Sequence, residues 1–195
     1  MNKFLKVIAI VLCAATLVVA SVAATVAYLT MKTSTVQNTF TSGNIKIELK
    51  QESQLDSSKM VPGQEFRVDP KVTVYKDSES CYLFIKIEKS ANFDTFLSYE
   101  VADGWTELTD GSGVYYREVN YNAADDAENQ VFDVIADNTI TAKSDCTKGD
   151  YDGLTDELNL KFTAYAVQKV GFDTAADAWV EAQKLDNSNT ENNGG

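Results

Sequence analysis

The chain has 195 residues, enough for one domain of ordinary size, and its 44% hydrophobic and 10% aromatic content can form a buried core. It has 17 Lys and Arg against 29 Asp and Glu, a net charge of −12 with no basic patch, which argues against nucleic-acid binding. The chain has no histidine, so Ser-His-Asp triads, Cys-His dyads and HExxH zinc helices are excluded.

Residues 1–27 have the organisation of a secretory signal peptide. Lys3 and Lys6 precede an uncharged stretch, Val7–Leu29, which ends in small residues. This stretch is also long enough to be a retained membrane anchor. The small residues Ala24 and Ala27 favour cleavage close to them, so membrane attachment is expected only through the uncleaved signal. Cleavage after Ala27 removes two basic residues and no acidic one, and the exported chain then carries −14.

The region 44–185 has the period-two alternation of half-buried strands. Ile45, Ile47 and Leu49 alternate with charged residues, and Pro-Gly and Asp-Gly turn signals separate the strands that follow. The further predicted strands are Phe66–Tyr75, Cys81–Glu88, Tyr99–Leu108, Gly113–Tyr121, Gln130–Ala142 and Leu158–Gln168. About seven short strands predict an all-β antiparallel sandwich of the jelly-roll type.

One helix is predicted near the C-terminus. Asp173 and Thr174 can cap it, and Ala176, Trp179 and Val180 recur at helical spacing. Trp179 is expected to cover one end of the sandwich. The tail, residues 186–195, lacks apolar residues and is predicted to be disordered.

An acidic loop near the end of the domain is a weak candidate for calcium binding. Its carboxylates are those of Asp150, Asp152, Asp156 and Glu157. The loop departs from the EF-hand pattern because Gly153 follows the second Asp directly. A solvated acidic loop is the favoured interpretation, and no other cofactor is expected.

Cys81 and Cys146 are the two cysteines that remain after signal removal. In an exported chain they can form a disulfide, but one begins a predicted strand and the other lies in a polar loop. The sequence leaves their pairing open. The absence of CxxC spacing argues against redox catalysis and a zinc knuckle.

Aromatic residues are dense between residues 99 and 121. The residues are Tyr99, Trp105, Tyr115, Tyr116 and Tyr121. Strands ordinarily place such rings in cores and cross-strand pairs. Core packing is therefore favoured over a sugar-binding face.

Several segments together resemble the TasA/camelysin family of exported proteins from Gram-positive bacteria. Ala27–Thr30 and Asn38–Ile47 are similar to the family's opening, which reads AYF-T/S followed by NTFTAGT-L-D-L. Val61–Gly63 and Cys81–Glu88 look like its central strands, and the chain from Ala164 to Trp179 resembles a clostridial branch of alternate signal-mediated exported proteins. The region from about Glu107 to Thr155 has no counterpart.

The resemblance implies a jelly-roll sandwich, cleavage by a SipW-type signal peptidase, and assembly into biofilm-matrix fibres. In such fibres the N-terminal segment freed by cleavage adds as a strand to a neighbouring subunit, itself or a related matrix protein. Here that candidate donor segment is residues 28–43, with Leu29, Met31, Thr33, Thr35 and Val36 as its main contributors. The segment can also fold back as the first strand of its own domain.

Three functions are consistent with the sequence. A secreted or cell-surface structural protein is favoured. A monomeric adhesin that binds glycan through Tyr99–Tyr121 is the alternative. A camelysin-like metalloprotease is disfavoured, because without histidine a metal would be held by oxygen or thiolate ligands, which suit calcium better than catalytic zinc. We therefore expect no enzymatic activity and no catalytic residue.

Overall fold

The structure is a computed structural model that describes residues 39–51, 60–120, 128–154, 156 and 158–191. All of them belong to one of the chain's two compact units. The described strands are β1 Thr39–Ser42, β2 Ile47–Gln51, β3 Glu65–Arg67, β4 Pro70–Val74, β5 Cys81–Lys89, β6 Leu97–Ser98, β7 Thr106–Glu107, β8 Val114–Val119, β9 Gln130–Asp133, β10 Thr139–Ala142 and β11 Leu160–Gln168. The described helices are α1 Phe93–Phe96, α2 Lys148–Asp152 and α3 Ala175–Glu191, with a 3-10 turn at Ala136–Asn138.

The strands form three sheets. The largest has the order β1-β11-β5-β8-β7, and two three-stranded sheets have the orders β3-β10-β6 and β2-β4-β9. The prediction of a β-rich fold with few helices is confirmed. One described strand pair departs from the predicted antiparallel arrangement, because β1 runs parallel to β11. Short loops make antiparallel neighbours, whereas β1 and β11 are distant in sequence and can meet in either direction.

The centre of the large sheet is formed by its two longest strands. β5 and β11 pair antiparallel along their whole length, from Cys81 opposite Gln168 to Lys89 opposite Leu160. Most of their side chains are buried on both faces. Continuous apolar runs of this kind are typical of strands covered on both sides.

One face of this sheet is covered by α3. Ala175, Ala178 and Ala182 of the helix pack on a cluster that includes Phe84 and Tyr165. Trp179 lies 5.2 Å from the Phe84 ring and 5.1 Å from the Tyr165 ring, between centroids. The small residues of α3 allow the helix to approach the sheet closely. Trp179 was expected to cover one end of a sandwich, but it packs on the face of the large sheet.

The helix itself agrees with its predicted start and differs at its end. The Thr174 hydroxyl accepts a hydrogen bond from the Asp177 amide at 3.2 Å, as a capping residue does. The helix continues through Glu191, so the prediction of disorder is wrong for residues 186–191. Helix propagation adds one hydrogen bond per residue, which lets polar residues extend a helix that is already packed.

Three predicted strands differ from the observed elements. Phe66–Tyr75 divides at Val68 and Asp69 into β3 and β4, which belong to different sheets. Gln130–Ala142 divides into β9 and β10 at Asp137 and Asn138, whose φ angles are 51° and 52°. Such left-handed residues break a strand. Tyr99–Leu108 contains only β7 and an isolated bridge at Val101.

The two cysteines are free thiols, so the disulfide considered between them is not formed. Cys81 is fully buried at the start of β5, where burial raises the pKa of its thiol to about 12. The Cys146 thiol donates a hydrogen bond to the Thr95 carbonyl oxygen at 3.4 Å. A central strand and a peripheral loop thus hold the two sulfur atoms in separate surroundings.

Candidate functional site

The edge of the large sheet at β1 is the place where the candidate donor segment enters the described structure. Thr39, Phe40, Thr41 and Ser42 pair in order with Ala164, Tyr165, Ala166 and Val167. Residues 39–42 thus pair inside the domain. The predicted donor residues Leu29, Met31, Thr33, Thr35 and Val36, and the predicted cleavage residues Ala24 and Ala27, lie outside the described residues.

Within the described residues, β1 pairs with the second half of β11. Its pairing begins at Ala164, and along the described chain no strand pairs with Leu160–Thr163 on that side of β11. This stretch is about 13 Å long at the rise of a strand, and residues 35–38, which directly precede β1, lie outside the described residues. Leu160, Phe162 and Thr163 are buried, whereas the Lys161 side chain is partly exposed and pairs with Glu88 at 3.1 Å. An extended segment, from this chain or from another copy, can add to such an edge through main-chain hydrogen bonds.

Gly43 sets the position of β1 by ending it. Its φ of +93° favours glycine, and a Cβ there would lie 2.5 Å from the Gln168 side-chain oxygen. The chain then turns toward β2, and it is fastened by the Glu79 amide, which donates to the Asn44 carbonyl at 3.1 Å. The Ser78 hydroxyl also accepts from the Lys46 amide at 3.0 Å. The Thr-Phe-Thr-Ser-Gly-Asn sequence therefore has a structural role within the domain, because it forms β1 and the turn that leads to β2.

We expect Gly43→Ala to lower the free energy of unfolding by about 1–3 kcal/mol, because alanine is strained at this φ. Gly171→Ala is the matched control, since its φ is +99° and nothing lies within 4 Å of its Cβ. The Gly43 variant must also displace the Gln168 side chain, which donates to the Val170 carbonyl at 3.2 Å. Urea unfolding should therefore show the larger loss for Gly43→Ala, and equal losses would contradict this account of the edge.

The predicted calcium residues are used by α2 and its loop. The Asp150 carboxylate accepts from the Thr147 amide and hydroxyl, both at 2.7 Å, and these bonds hold the pKa of Asp150 below its ordinary value. Asp152 forms an ion pair with Lys148. Asp156 lies in a bend, and Glu157 is outside the described residues. Within the part of the chain that the structure describes, no three acidic or cysteine side chains gather closely enough to hold a metal ion.

A cleft of about 470 Å³ lies over β10 and its neighbours. It is lined by acidic and hydroxyl side chains, principally Glu65, Glu100, Asp137, Thr139 and Thr141. The Thr139 hydroxyl donates to the Asp137 carbonyl at 3.0 Å, so it serves the turn that begins β10. The cleft presents carboxylates and hydroxyls to solvent, and sequence reasoning missed it because its residues come from three separate strands and a turn.

The aromatic region singled out from the sequence is divided between core and surface. Tyr116 packs on the cluster beneath α3, and the Tyr99 ring meets the Phe93 ring edge-on at 5.9 Å. Burial raises the pKa of Tyr99 well above its ordinary value. Trp105 lies elsewhere, against Arg117. Tyr121 is outside the described residues, and the described aromatic residues of this region do not all share one environment.

Among the described residues, no helix is long and apolar enough to cross a membrane. In comparisons with known proteins, no family model, no curated protein and no solved structure matches this chain.

Proposed function

We propose that this protein is an exported structural subunit of an extracellular matrix fibre, of the TasA/camelysin type, with a jelly-roll-like β-sandwich. The proposal rests on the resemblance of residues 27–47 to that family's opening and on the edge position of β1 in the large sheet. It assigns the protein to the cell surface or matrix after cleavage by a SipW-type signal peptidase. It assigns the protein no catalytic role and no metal.

The single observation that carries the proposal is the position of β1 at the edge of the large sheet. Residues 28–38 immediately precede β1, and among the described residues no strand pairs with Leu160–Thr163 on the β1 side of β11. Residues 28–38 contain no Gly or Pro and only one charge, that of Lys32. In the proposed assembly this segment of one copy adds to the open edge of the next, and repetition of that head-to-tail contact produces a filament.

The test is electron microscopy of the exported chain, residues 28–195, at neutral and mildly acidic pH. Acid should favour assembly because it reduces the self-repulsion of a chain with excess carboxylates. Val36→Pro removes an amide donor from the proposed donor strand, and Asn193→Pro makes a similar change at the opposite terminus as a control. We expect filaments from the parent and from Asn193→Pro, and monomers from Val36→Pro.

The free energy of unfolding distinguishes donation of residues 28–38 to another copy from their folding back onto their own domain. If the segment is donated, Val36→Pro leaves the monomer's free energy of unfolding within about 0.5 kcal/mol of the parent. If the segment completes its own domain, the proline removes an intramolecular hydrogen bond and lowers that free energy by about 1 kcal/mol or more. Filaments from Val36→Pro, or monomers from the parent under every condition, would contradict the proposal.

A further inference from the structure

Arg117 is an unusual cation in this acidic chain. It is one of only two arginines, and the other, Arg67, lies 3.7 Å from the Asp69 carboxylate. Within the described residues Arg117 has neither an ion pair nor a hydrogen bond, and its Nε atom is buried without a partner. A half-buried charge without a counter-ion is unfavourable, so its retention beside so many carboxylates calls for an explanation.

Two aromatic rings hold the guanidinium. Its Cζ atom lies 3.9 Å from the centre of the Phe132 ring and 5.3 Å from that of the Trp105 ring. Cation–π contacts of this kind stabilise the charged group by about 0.5–2 kcal/mol and partly offset the hydration that the guanidinium loses on burial. They use the faces of the guanidinium and leave its in-plane N–H groups for another partner. The Arg117 residue as a whole is half-exposed.

Three elements position the guanidinium. Arg117 belongs to β8 and Phe132 to β9, whereas Trp105 comes from the turn before β7. The Trp105 indole N–H donates to the Asp133 carbonyl oxygen at 2.8 Å, which attaches that turn to β9. Gly104 also approaches closely, since a Cβ there would lie 2.7 Å from Arg117 Nη2. The guanidinium is thus held in place before any ligand arrives.

Nearby carboxylates are engaged elsewhere. Asp133, whose carbonyl holds Trp105, pairs through its carboxylate with Lys71 at 3.4 Å. Glu118, which follows Arg117 on β8, pairs with Lys169. The burial of Arg117 lowers its pKa, and among the described residues no neighbouring acid counteracts that shift. The structure therefore surrounds this cation with aromatic rings and directs the acids of the same strands to lysines.

We propose that Trp105, Arg117 and Phe132 form a binding site for a carboxylated sugar, such as a uronic acid unit of an acidic polysaccharide. The planar guanidinium matches a carboxylate through two parallel N–H bonds. The half-exposed rings of Trp105 and Phe132 can pack on the C–H face of a pyranose. A single guanidinium suits one negative charge, whereas a phosphate dianion would meet stronger repulsion from this acidic chain. The rings favour a sugar over an acidic peptide.

The test is an NMR titration of the exported chain, residues 28–195, with D-glucuronate at about 0.15 M salt. The chain has two tryptophans, so the indole signals of Trp105 and Trp179 can be followed separately after assignment with Trp179→Phe. We expect glucuronate to shift the Trp105 signal with a millimolar midpoint, and glucose and acetate to bind at least about tenfold more weakly. The Trp179 signal serves as the internal control.

Arg117→Met should abolish the shift without lowering the free energy of unfolding, because it removes an uncompensated charge and keeps the side-chain volume. Arg117→Lys should keep the fold and bind glucuronate more weakly, since an ammonium group cannot make the two parallel N–H bonds of a guanidinium. The proposal is overturned if Trp105 shifts with no ligand up to about 0.1 M. Equal binding of acetate, or tighter binding of a glutamate-rich peptide, would overturn the sugar assignment. Filament formation by Arg117→Met is expected to be normal, so this proposal fails or stands independently of the fibre proposal.

Discussion

Phe84→Ala is expected to lower the free energy of unfolding by about 3–5 kcal/mol, because it removes a fully buried ring from the centre of the large sheet. The Phe84 ring lies 5.2 Å from that of Trp179 and 6.4 Å from those of Tyr82 and Tyr116, between centroids. The cavity would therefore form where α3 meets β5. Since domains are typically stable by about 5–15 kcal/mol, the variant should lose a large share of its stability.

Urea unfolding followed by tryptophan fluorescence measures this loss. Val131→Ala on β9 is the control, because Val131 is 56% exposed and its truncation should change the free energy by less than about 0.5 kcal/mol. The emission of Trp179 should also move to longer wavelength in Phe84→Ala, since water gains access beside it. A loss below about 1 kcal/mol for Phe84→Ala would mean that α3 does not depend on this contact.

The sequence predicts the central strands well because their patterns are strong. Cys81–Glu88 and Leu158–Gln168 are nearly continuous apolar runs bounded by polar residues, and they become β5 and β11. The start of α3 is equally well predicted, since a Thr174 cap and the helical spacing of Ala176, Trp179 and Val180 give independent signals. Local propensity and burial agree in these segments, so no tertiary information is needed.

Pairing between distant strands is not encoded in such patterns. Nothing in Thr39–Ser42 indicates that it runs parallel to a strand more than a hundred residues later, because either direction would satisfy its alternation. The division at Val68 and Asp69 is also hidden, since the apolar period continues through it while the chain changes sheet. Both features depend on which edges are available once the core has formed.

The two candidate sites, at β1 and at Arg117, also differ in how far the sequence predicts them. Thr39–Gly43 was singled out from its sequence, and the structure gives it an edge position with a glycine turn. Trp105 was noticed only as one of several aromatics, and Arg117 and Phe132 were missed. The available signal for Arg117 was its rarity, since arginines are few in this chain. The surroundings of Arg117 are formed by β8, β9 and the turn before β7. Because these elements are distant in sequence, residue spacing does not predict that they come together.

Gly113→Ala is expected to be much more damaging than Gly111→Ala, although both glycines lie in the same loop before β8. Their φ angles are +67° and +72°, so alanine would incur a similar backbone strain of about 1–2 kcal/mol at either position. They differ in their neighbours. A Cβ on Gly113 would lie 2.6 Å from the Ile87 carbonyl oxygen, whereas nothing lies within 4 Å of one on Gly111.

The Ile87 backbone cannot move aside easily, because its amide donates to the Gly113 carbonyl at 2.8 Å and Ile87 pairs with Phe162 on β11. Relieving the clash would separate β5 from β8 at this point, which adds about 1–3 kcal/mol to the strain. Urea unfolding should therefore show a total loss of about 2–5 kcal/mol for Gly113→Ala and about 1–2 kcal/mol for Gly111→Ala. Equal losses would mean that the close approach of β5 and β8 is not maintained in solution, and the rigid support that β8 gives to Arg117 would then need another source.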